Sequence, residues 1–357
     1  MPRIRQLVLR RLNLPLVRPY RLAYRTFESF EPFFLEIEDS DGGKGFSDAH
    51  IAPGSSLETR EGGWAFLCDR INQVIGLTSE EAKAVVLRRF EESKVATTVL
   101  VTAIEVMENS PTLDVPHEIE LPLLAPINAL DEKAIREEVE SWLDNGFRTF
   151  KVKVGKDVES DLERVAIIQD AVAERATLRL DANRAYTRED GIRFAEKLDP
   201  SGIELFEQPC ESEDWDANAA VARASAVPLM LDEPICTLAD IERAAGIEGV
   251  RFCKLKLKRF GSLDRLKEGL DAVHTHGMVP VLGDGLGSEI HSWLEACVAQ
   301  TTIRNAGEFN GFLKPRDGLF VEPMPFRDGS IWLPAGYRPQ FDPVAIDRAT
   351  IERREFH

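Results

Sequence analysis

The sequence has few of the features that mark secreted, metal-clustering or nucleic-acid-binding proteins. Its five cysteines are odd in number, and their spacing fits neither a disulfide framework nor a zinc site. Lys and Arg number 44 against 61 Asp and Glu, and the net charge of -17 disfavours nucleic acid or an anionic membrane as partner. A locally basic cleft could still bind a small anion. We therefore expect a cytoplasmic protein with reduced thiols that acts on a small-molecule carboxylate, and we expect a homo-oligomer.

Long apolar runs are also missing. No window approaches about 18 uninterrupted apolar residues, so no membrane-spanning helix is predicted. Arginines interrupt the first 17 residues, and no signal peptide is expected there. Dinucleotide-binding GxGxxG, phosphate-binding P-loop and zinc motifs do not occur, so the commonest nucleotide-binding and zinc-binding signatures give no guide to function.

The hydrophobic pattern changes near residue 121. Residues 1 to about 50 alternate as strands do, and Asp41-Gly42-Gly43 predicts a hairpin turn. Residues 56 to about 110 predict amphipathic helices with Ser or Thr caps. Beyond residue 121, eight short apolar strands alternate with seven helical segments. Such alternation predicts parallel βαβ units, and eight of them predict a closed barrel.

The fold class is therefore α/β, a modified TIM barrel of the (β/α)7β type with an α+β capping domain. We predict that residues 1–120 form the cap and residues 121–312 form the barrel. Residues 313–357 revert to strand and turn character, and we predict that they return to complete the cap.

Charged side chains recur near the carboxyl ends of successive predicted strands, 24 to 28 residues apart, which is one βα unit. The series consists of Lys153, Asp181, Glu207, Asp232, Lys256, Asp284 and Glu308. A single member would more often be a solvated strand end, but seven in register are hard to obtain that way. In barrels of this type the carboxyl ends of the strands carry the active site.

Three carboxylates in this series, Asp181, Glu207 and Asp232, lie on adjacent predicted strands. Carboxylates that converge in one barrel mouth repel one another and require a cation. An oxygen-only set without His or Cys favours a hard ion, and Mg²⁺ is the cofactor that we predict.

Two lysines lie on opposite sides of the predicted barrel, Lys153 on the second strand and Lys256 on the sixth. They could flank a substrate from its two faces. A free lysine has a pKa of about 10.4, too high for a general base. A divalent cation and the neighbours Lys151 and Lys254 should lower it. The alternative for the run K-L-K-L-K-R is a solvated basic strand end.

The pieces F-K-V-K-V-G, L-D-A-N, F-E-Q-P, L-D-E-P and K-L-K-x-x-x-G resemble the muconate lactonizing enzyme subgroup of the enolase superfamily. The resemblance covers nearly the whole chain. It implies that the magnesium ligands are Asp181, Glu207 and Asp232, and that the opposed bases are Lys153 and Lys256. It also implies that Lys151 binds the substrate carboxylate. Close to the ligands we expect supporting roles for Asn183, Glu233 and Lys254.

The chemistry implied by the resemblance is removal of a proton next to a carboxylate, through an enediolate that Mg²⁺ stabilises. Return of a proton to the other face gives a racemase or epimerase, which is the reaction we favour, on an amino-acid or dipeptide-like substrate. Loss of a leaving group instead gives a cycloisomerase, an o-succinylbenzoate synthase-like enzyme or a dehydratase. The same residues serve all of these reactions.

Substrate recognition is predicted from the loop that holds Tyr24 and Arg25, which resembles that of dipeptide epimerases, and from Glu308, which could bind a substrate ammonium. Asn310 and Asp284 depart from those epimerases, although both are candidates for contact with substrate. Lys254 stands where relatives often have Asn.

Three other classes deserve comparison. A catalytically silent barrel would have lost a ligand or a lysine, and none is missing. A Schiff-base aldolase would use Lys256, and borohydride trapping would detect it. A metal-dependent hydrolase would show His ligands, which do not occur among the first six strand ends of the series.

Overall fold

The structure is a computed structural model of the chain, and it describes residues 1–21, 26–54 and 56–357. Predictions that concern Tyr24 and Arg25 therefore lie outside the described residues. No helix in the described parts is long and apolar enough to cross a membrane.

The first part of the chain contains five strands followed by three helices. The strands are β1 (Ile4–Leu12), β2 (Leu14–Arg21), β3 (Thr26–Phe30), β4 (Phe33–Asp39) and β5 (Lys44–Ala49). The helices are α1 (Arg60–Val74), α2 (Ser79–Leu87) and α3 (Lys94–Met107). The predicted hairpin is confirmed, because β4 and β5 pair in antiparallel fashion around Asp41-Gly42-Gly43.

Local sequence explains where these helices begin. The Thr59 hydroxyl accepts a hydrogen bond from Gly62 N at the start of α1, and Thr78 and Glu81 form a reciprocal capping box on α2. Helix α3 lies very close to β5. A Cβ placed at Gly45 of β5 would come within 2.1 Å of the Ala103 carbonyl oxygen of α3. Glycine permits this approach, and the sheet and the three helices enclose an apolar core between them.

The middle of the chain forms the barrel. Strand β6 (Ile119–Pro122) precedes seven parallel strands that are hydrogen-bonded in sequence order. These are β7 (Ala125–Ile127), β8 (Thr149–Lys153), β9 (Thr177–Asp181), β10 (Ile203–Glu207), β11 (Leu229–Leu231), β12 (Val250–Leu255) and β13 (Val279–Leu282). The connecting helices are α4 (Glu132–Asp144), α5 (Val158–Val172), α6 (Arg188–Lys197), α7 (Trp215–Ala224), α8 (Leu238–Ala245), α9 (Leu257–Phe260), α10 (Leu263–Thr275) and α11 (Glu289–Thr302).

The predicted eighth strand is an irregular segment rather than a regular strand. Glu308 N donates to Leu282 O on one side, at 2.8 Å, and Leu124 N donates to Gly307 O on the other, at 3.1 Å. The segment therefore lies between the two ends of the seven-stranded sheet. It turns sharply, since Asn310 N donates back to Glu308 O at 2.8 Å, and this turn prevents a longer ladder.

The C-terminal segment divides between two sheets. Strands β14 (Phe326–Arg327) and β15 (Ser330–Leu333) form a small antiparallel sheet with β6. Helix α12 (Pro343–Ala349) leads to β16 (Thr350–Phe356), which pairs with β1 at the edge of the first sheet. The tail thus returns to the N-terminal sheet, while the domain boundaries at residues 120 and 312 remain predictions.

Candidate active site

A cavity of about 440 Å³ opens at the carboxyl ends of the parallel strands. Residues of the N-terminal region, Tyr20, Leu57 and Glu58 among them, form part of its wall, and charged barrel residues form the rest. The barrel interior below is closed by Leu205, Met230 and Val281, which are fully buried. Met230 and Val281 lie on strands that are closely followed by the cavity residues Asp232 and Asp284, so apolar packing supports a charged upper layer.

Strand register explains how the charged layer assembles. Lys153 pairs with Asp181 across β8 and β9, and Asp181 pairs with Glu207 across β9 and β10. Lys151 and Lys153 are two residues apart on β8 and so point to the same side of the sheet. Asp232 directly follows β11, and its backbone N–H donates to the Gln208 side chain at 2.9 Å.

Lys151 is the centre of the charged layer. Its Nζ lies 2.8 Å from an oxygen of each of three carboxylates, those of Asp181, Glu207 and Glu308. Burial alone would lower the pKa of Lys151, but the three carboxylates together raise it well above its ordinary value. Lys151 is therefore a fixed cation among these acids.

Lys254 is a second internal cation, and it is almost wholly buried. Its Nζ lies 3.0 Å from Glu207 Oε1, forms a short ion pair with Glu308, and is 4.0 Å from Asp232. Both oxygens of Glu308 are thus held by protein ammonium groups, because the same carboxylate also accepts from Lys151 at 2.8 and 3.1 Å. Burial opposes ionisation of Glu308, yet the two lysines lower its pKa to about 2.

The two predicted bases occupy different surroundings. Lys256 Nζ lies 2.9 Å from Asp232 Oδ2, and Asp232 also pairs with Arg259 at 2.9 Å. Burial lowers the pKa of Lys256, and the nearby Arg259 guanidinium lowers it further. Lys153 is more open, with 38% of its side chain exposed, and its Nζ lies 2.5 Å from Asp181 Oδ2. Both lysines line the cavity.

The carboxylates have the oxygen chemistry that Mg²⁺ prefers. Glu207 Oε2 and Asp232 Oδ1 are buried and form ion pairs, but neither accepts a hydrogen bond of good geometry, so both retain lone pairs suited to a cation. Within the described ranges, however, no three acidic, His or Cys side chains are grouped as a ready metal site. The ammonium of Lys151 lies between Asp181 and Glu207, whereas Asp232 pairs with Lys256 and Arg259.

The supporting residues of the prediction also lie at the cavity. Asn183 accepts a short hydrogen bond from Lys153, and its backbone N–H donates to Asp181 Oδ1 at 2.8 Å. Asn183 has a φ of 45°, a left-handed conformation that turns the chain directly after the strand. Burial and the adjacent Asp232 raise the pKa of Glu233 to about 7, and Arg184 lies 3.5 Å from its carboxylate.

Asp284 lines the cavity but is already paired. Lys258 forms a short ion pair with it and holds its pKa well below the ordinary value, against the effect of burial. The buried Glu295 accepts from Leu257 N at 3.0 Å and from Asp284 N at 3.2 Å. It therefore fixes the chain next to Lys256 and next to Asp284, a role that the sequence pattern did not indicate.

Asn310 is occupied by protein contacts instead of facing the cavity freely. Its Nδ2 donates to Leu124 O at 2.9 Å, and its Oδ1 accepts from Lys314 Nζ at 2.7 Å. Sequence reasoning missed Lys314 and Tyr20, which lie in the tail and in β2. No motif marks Lys314, whereas Tyr20 lies in the same segment as the predicted Tyr24 and Arg25. A bridge between Leu16 and Pro315 joins the tail to β2. Arg259 and Lys258, also missed individually, belong to the basic run that the sequence did single out.

Comparison with known proteins agrees with this architecture. The family described as enolase C-terminal domain-like matches residues 134–337, more than half of the chain. The chain therefore belongs to that family. A hydrophobic dipeptide epimerase of Citrifermentans bemidjiense is 26% identical over 277 residues, covering 71% of this chain and 74% of the relative. Muconate cycloisomerase 1 of Rhodococcus opacus is 25% identical over 357 aligned positions, covering 91% and 92%.

The solved structure of an N-succinyl Arg/Lys racemase from Bacillus cereus superposes with a TM-score of 0.90 and covers 99% of this chain and 100% of the racemase. At 18% identity this likeness supports the fold alone. The predictions of the superfamily, the barrel fold and an isomerase are confirmed at that level. The particular substrate and the role of each site residue remain to be proposed.

Proposed function

We propose that the protein is a racemase or epimerase, which removes the proton next to a carboxylate of an amino-acid derivative and returns a proton to the opposite face. The observation that supports it most is the pair of cavity lysines. Lys153 and Lys256 come from β8 and β12, between which three strands intervene, and each pairs with a different carboxylate. A substrate held between them would meet one amine on each face.

The surroundings of the two lysines support proton transfer in both directions. Lys256 is buried beside Arg259, which favours its neutral form, so it can accept the α-proton. Lys153 Nζ lies 2.5 Å from Asp181 Oδ2 on the other side of the cavity, a position from which its ammonium could deliver a proton to the other face. The reverse direction exchanges these roles, and in either direction the substrate loses one proton to one lysine and gains one proton from the other.

We propose Mg²⁺ as the cofactor, held by Asp181, Glu207 and Asp232. When bound it would supply positive charge against the substrate carboxylate as negative charge develops on that group. Lys151 contacts Asp181 and Glu207, and Lys254 contacts Glu207, so a bound ion would share these carboxylates with the two ammonium groups.

A cycloisomerase is the second candidate, and the long alignment with muconate cycloisomerase 1 favours it. That reaction needs one base and a departing group, whereas racemisation needs both lysines. The two reactions therefore differ in what the loss of a single lysine should do.

The test is α-proton exchange with solvent in D₂O, followed by NMR with candidate racemic N-acyl amino acids and Mg²⁺ present. For a racemase, Lys153→Ala and Lys256→Ala should each abolish turnover. Each variant should still exchange the α-proton of one enantiomer, and the enantiomer should be opposite in the two. Lys133→Ala is the control, since Lys133 is 87% exposed and outside the cavity. A cyclised or dehydrated product without this stereospecific exchange would establish the second candidate instead.

A further inference from the structure

The two lysines of the proposed reaction lie where the pairing of neighbouring strands ends. Lys153 is the last residue of β8, and the ladder between β7 and β8 ends one residue earlier, at the pair Ile127 and Val152. Lys256 directly follows β12, whose ladder with β13 ends at Leu255. Because proton transfer requires a closely fixed amine, other contacts are needed at both strand ends.

Arg164 of α5 holds the strand end at Lys153. Its guanidinium donates to the main-chain oxygens of Lys153 at 2.9 Å, Ile127 at 2.9 Å and Ala129 at 3.0 Å. The planar fork of donors therefore joins the ends of β7 and β8 just beyond the point where their ladder stops. A lysine ammonium is a compact charge and lacks this geometry.

Glu295 of α11 holds the strand end at Lys256 with the opposite chemistry. Its side chain is fully buried, and its two oxygens accept from Leu257 N at 3.0 Å and from Asp284 N at 3.2 Å. Leu257 directly follows Lys256 and begins α9, and Asp284 lies two residues beyond β13. One carboxylate therefore joins the segments that follow β12 and β13, as Arg164 joins the ends of β7 and β8.

The contacts of Arg164 and Glu295 lie outside the site where substrate would bind. Among the described residues that line the cavity these two do not occur, whereas Lys153 and Lys256 do. Arg164 contacts the main chain of Lys153, and Glu295 contacts the residue after Lys256. The two sets of contacts use different strands and share no partner, so the loss of one should leave the other in place.

We propose that Arg164 and Glu295 are positioning residues, the first for Lys153 and the second for Lys256. The inference rests on the proposed function, in which each lysine serves one enantiomer. Loss of Arg164 should then slow proton transfer by Lys153 more than transfer by Lys256, and loss of Glu295 should do the reverse. A purely structural role would slow both transfers alike.

The experiment measures α-proton exchange of racemic N-acetylalanine in D₂O with Mg²⁺, in two variants that each retain one lysine. Lys256→Ala retains exchange by Lys153, and Lys153→Ala retains exchange by Lys256. Adding Arg164→Met should lower the first rate at least about tenfold more than the second, because misplacement of a reacting group by about 1 Å can cost about a hundredfold in rate. Adding Glu295→Leu should lower the second rate at least about tenfold more than the first.

Matched controls come from the same strand and the same helix. Arg148 donates to Leu143 O at 3.0 Å and to Phe147 O at 2.8 Å, just before the amino end of β8. Glu289 of α11 is buried and accepts from Leu319 N at 2.7 Å, in the tail. Arg148→Met and Glu289→Leu remove comparable contacts elsewhere, so each should change the two rates by the same factor.

A second measurement needs no turnover. Amide hydrogen–deuterium exchange, followed by mass spectrometry, should be faster for the peptide that contains Lys153 in Arg164→Met, and for the peptide that contains Lys256 in Glu295→Leu. Where one of these variants does not fold, Arg164→Lys and Glu295→Gln retain a donor or an acceptor and should show the same selectivity at a smaller size.

Equal loss of the two rates would overturn the proposal, and so would unchanged amide exchange at the affected lysine in a folded variant. Absence of α-proton exchange from both single-lysine variants would count against the proposed function instead. The amide exchange would in that case still decide whether Arg164 and Glu295 position the two strand ends.

Discussion

Replacement of Lys254 by Met tests how far the buried charges depend on one another. Methionine retains most of the apolar stem but removes the ammonium. In the native protein Lys254 and Lys151 share the carboxylates of Glu207 and Glu308, and Lys151 also pairs with Asp181. After the substitution, Lys151 would be the one remaining ion-pair partner of Glu207 and Glu308 among the described residues.

The magnitude follows from burial. The side chains of Lys254 and Glu207 are 2% and 1% exposed, so water cannot replace the lost ammonium. Removing one partner of such a buried pair costs about 3 to 5 kcal/mol, because a charge remains without compensation. We therefore expect Lys254→Met to lower the free energy of unfolding by about that amount when no divalent cation is present.

The assay is equilibrium urea unfolding in a buffer that contains a chelator. The matched control is Lys267→Met, which removes an exposed helical ion pair with Asp271 and should cost at most about 0.5 kcal/mol. The double variant Lys254→Met/Glu308→Gln should be more stable than Lys254→Met alone, because it removes one of the excess acids. If Lys254→Met is no less stable than the surface control, the account of mutually dependent buried charges is wrong.

Two further predictions concern the metal and pH. Chelation should abolish α-proton exchange, and added Mg²⁺ should restore it. Asp232→Asn should weaken the binding of Mn²⁺, measured by electron paramagnetic resonance. Full exchange in metal-free protein would exclude the cofactor. Burial raises the pKa of Glu105, whose carboxylate accepts from Leu263 N, from 4.5 to about 7. The folded state therefore binds the proton of Glu105 more tightly than the unfolded state does. The stability that this proton contributes is lost as pH rises between about 5 and 7, by up to about 3 kcal/mol. Glu105→Gln should flatten this part of the urea-unfolding profile against pH, and an unchanged profile would contradict it.

Regular periodicity made much of the fold predictable. The alternation of β8 to β13 with helices follows from short apolar runs and amphipathic stretches, and the same spacing indicated which strand ends carry charge. The eighth strand was predicted as regular and is not. The pattern of apolar residues does not reveal the sharp turn in which Asn310 N donates a hydrogen bond to Glu308 O. Local sequence also contained no sign that the tail would divide between two sheets.

The sequence predicted which residues form the site better than it predicted which ion pairs they make. Spacing along the chain indicated that Asp181, Glu207 and Asp232 share one end of the barrel, but it does not determine which cation each carboxylate contacts. Lys314 could not be found, since it follows the barrel in sequence, and an isolated bridge between Leu16 and Pro315 joins its segment to β2. Contacts between distant segments carry no local signature.

Two features that looked unrelated in the sequence have one physical explanation in the structure. The resemblance drawn from the sequence implies that Lys254 stands where related enzymes often have Asn, and that Glu308 is one carboxylate where dipeptide epimerases have two. A lysine buried beside Glu207 adds a charge that needs a counter-ion, and Glu308 provides it. Because that carboxylate is used internally, it is withdrawn from substrate recognition. The ion pairs of Glu308 with Lys254 and Lys151 therefore disfavour a substrate ammonium at this end of the cavity.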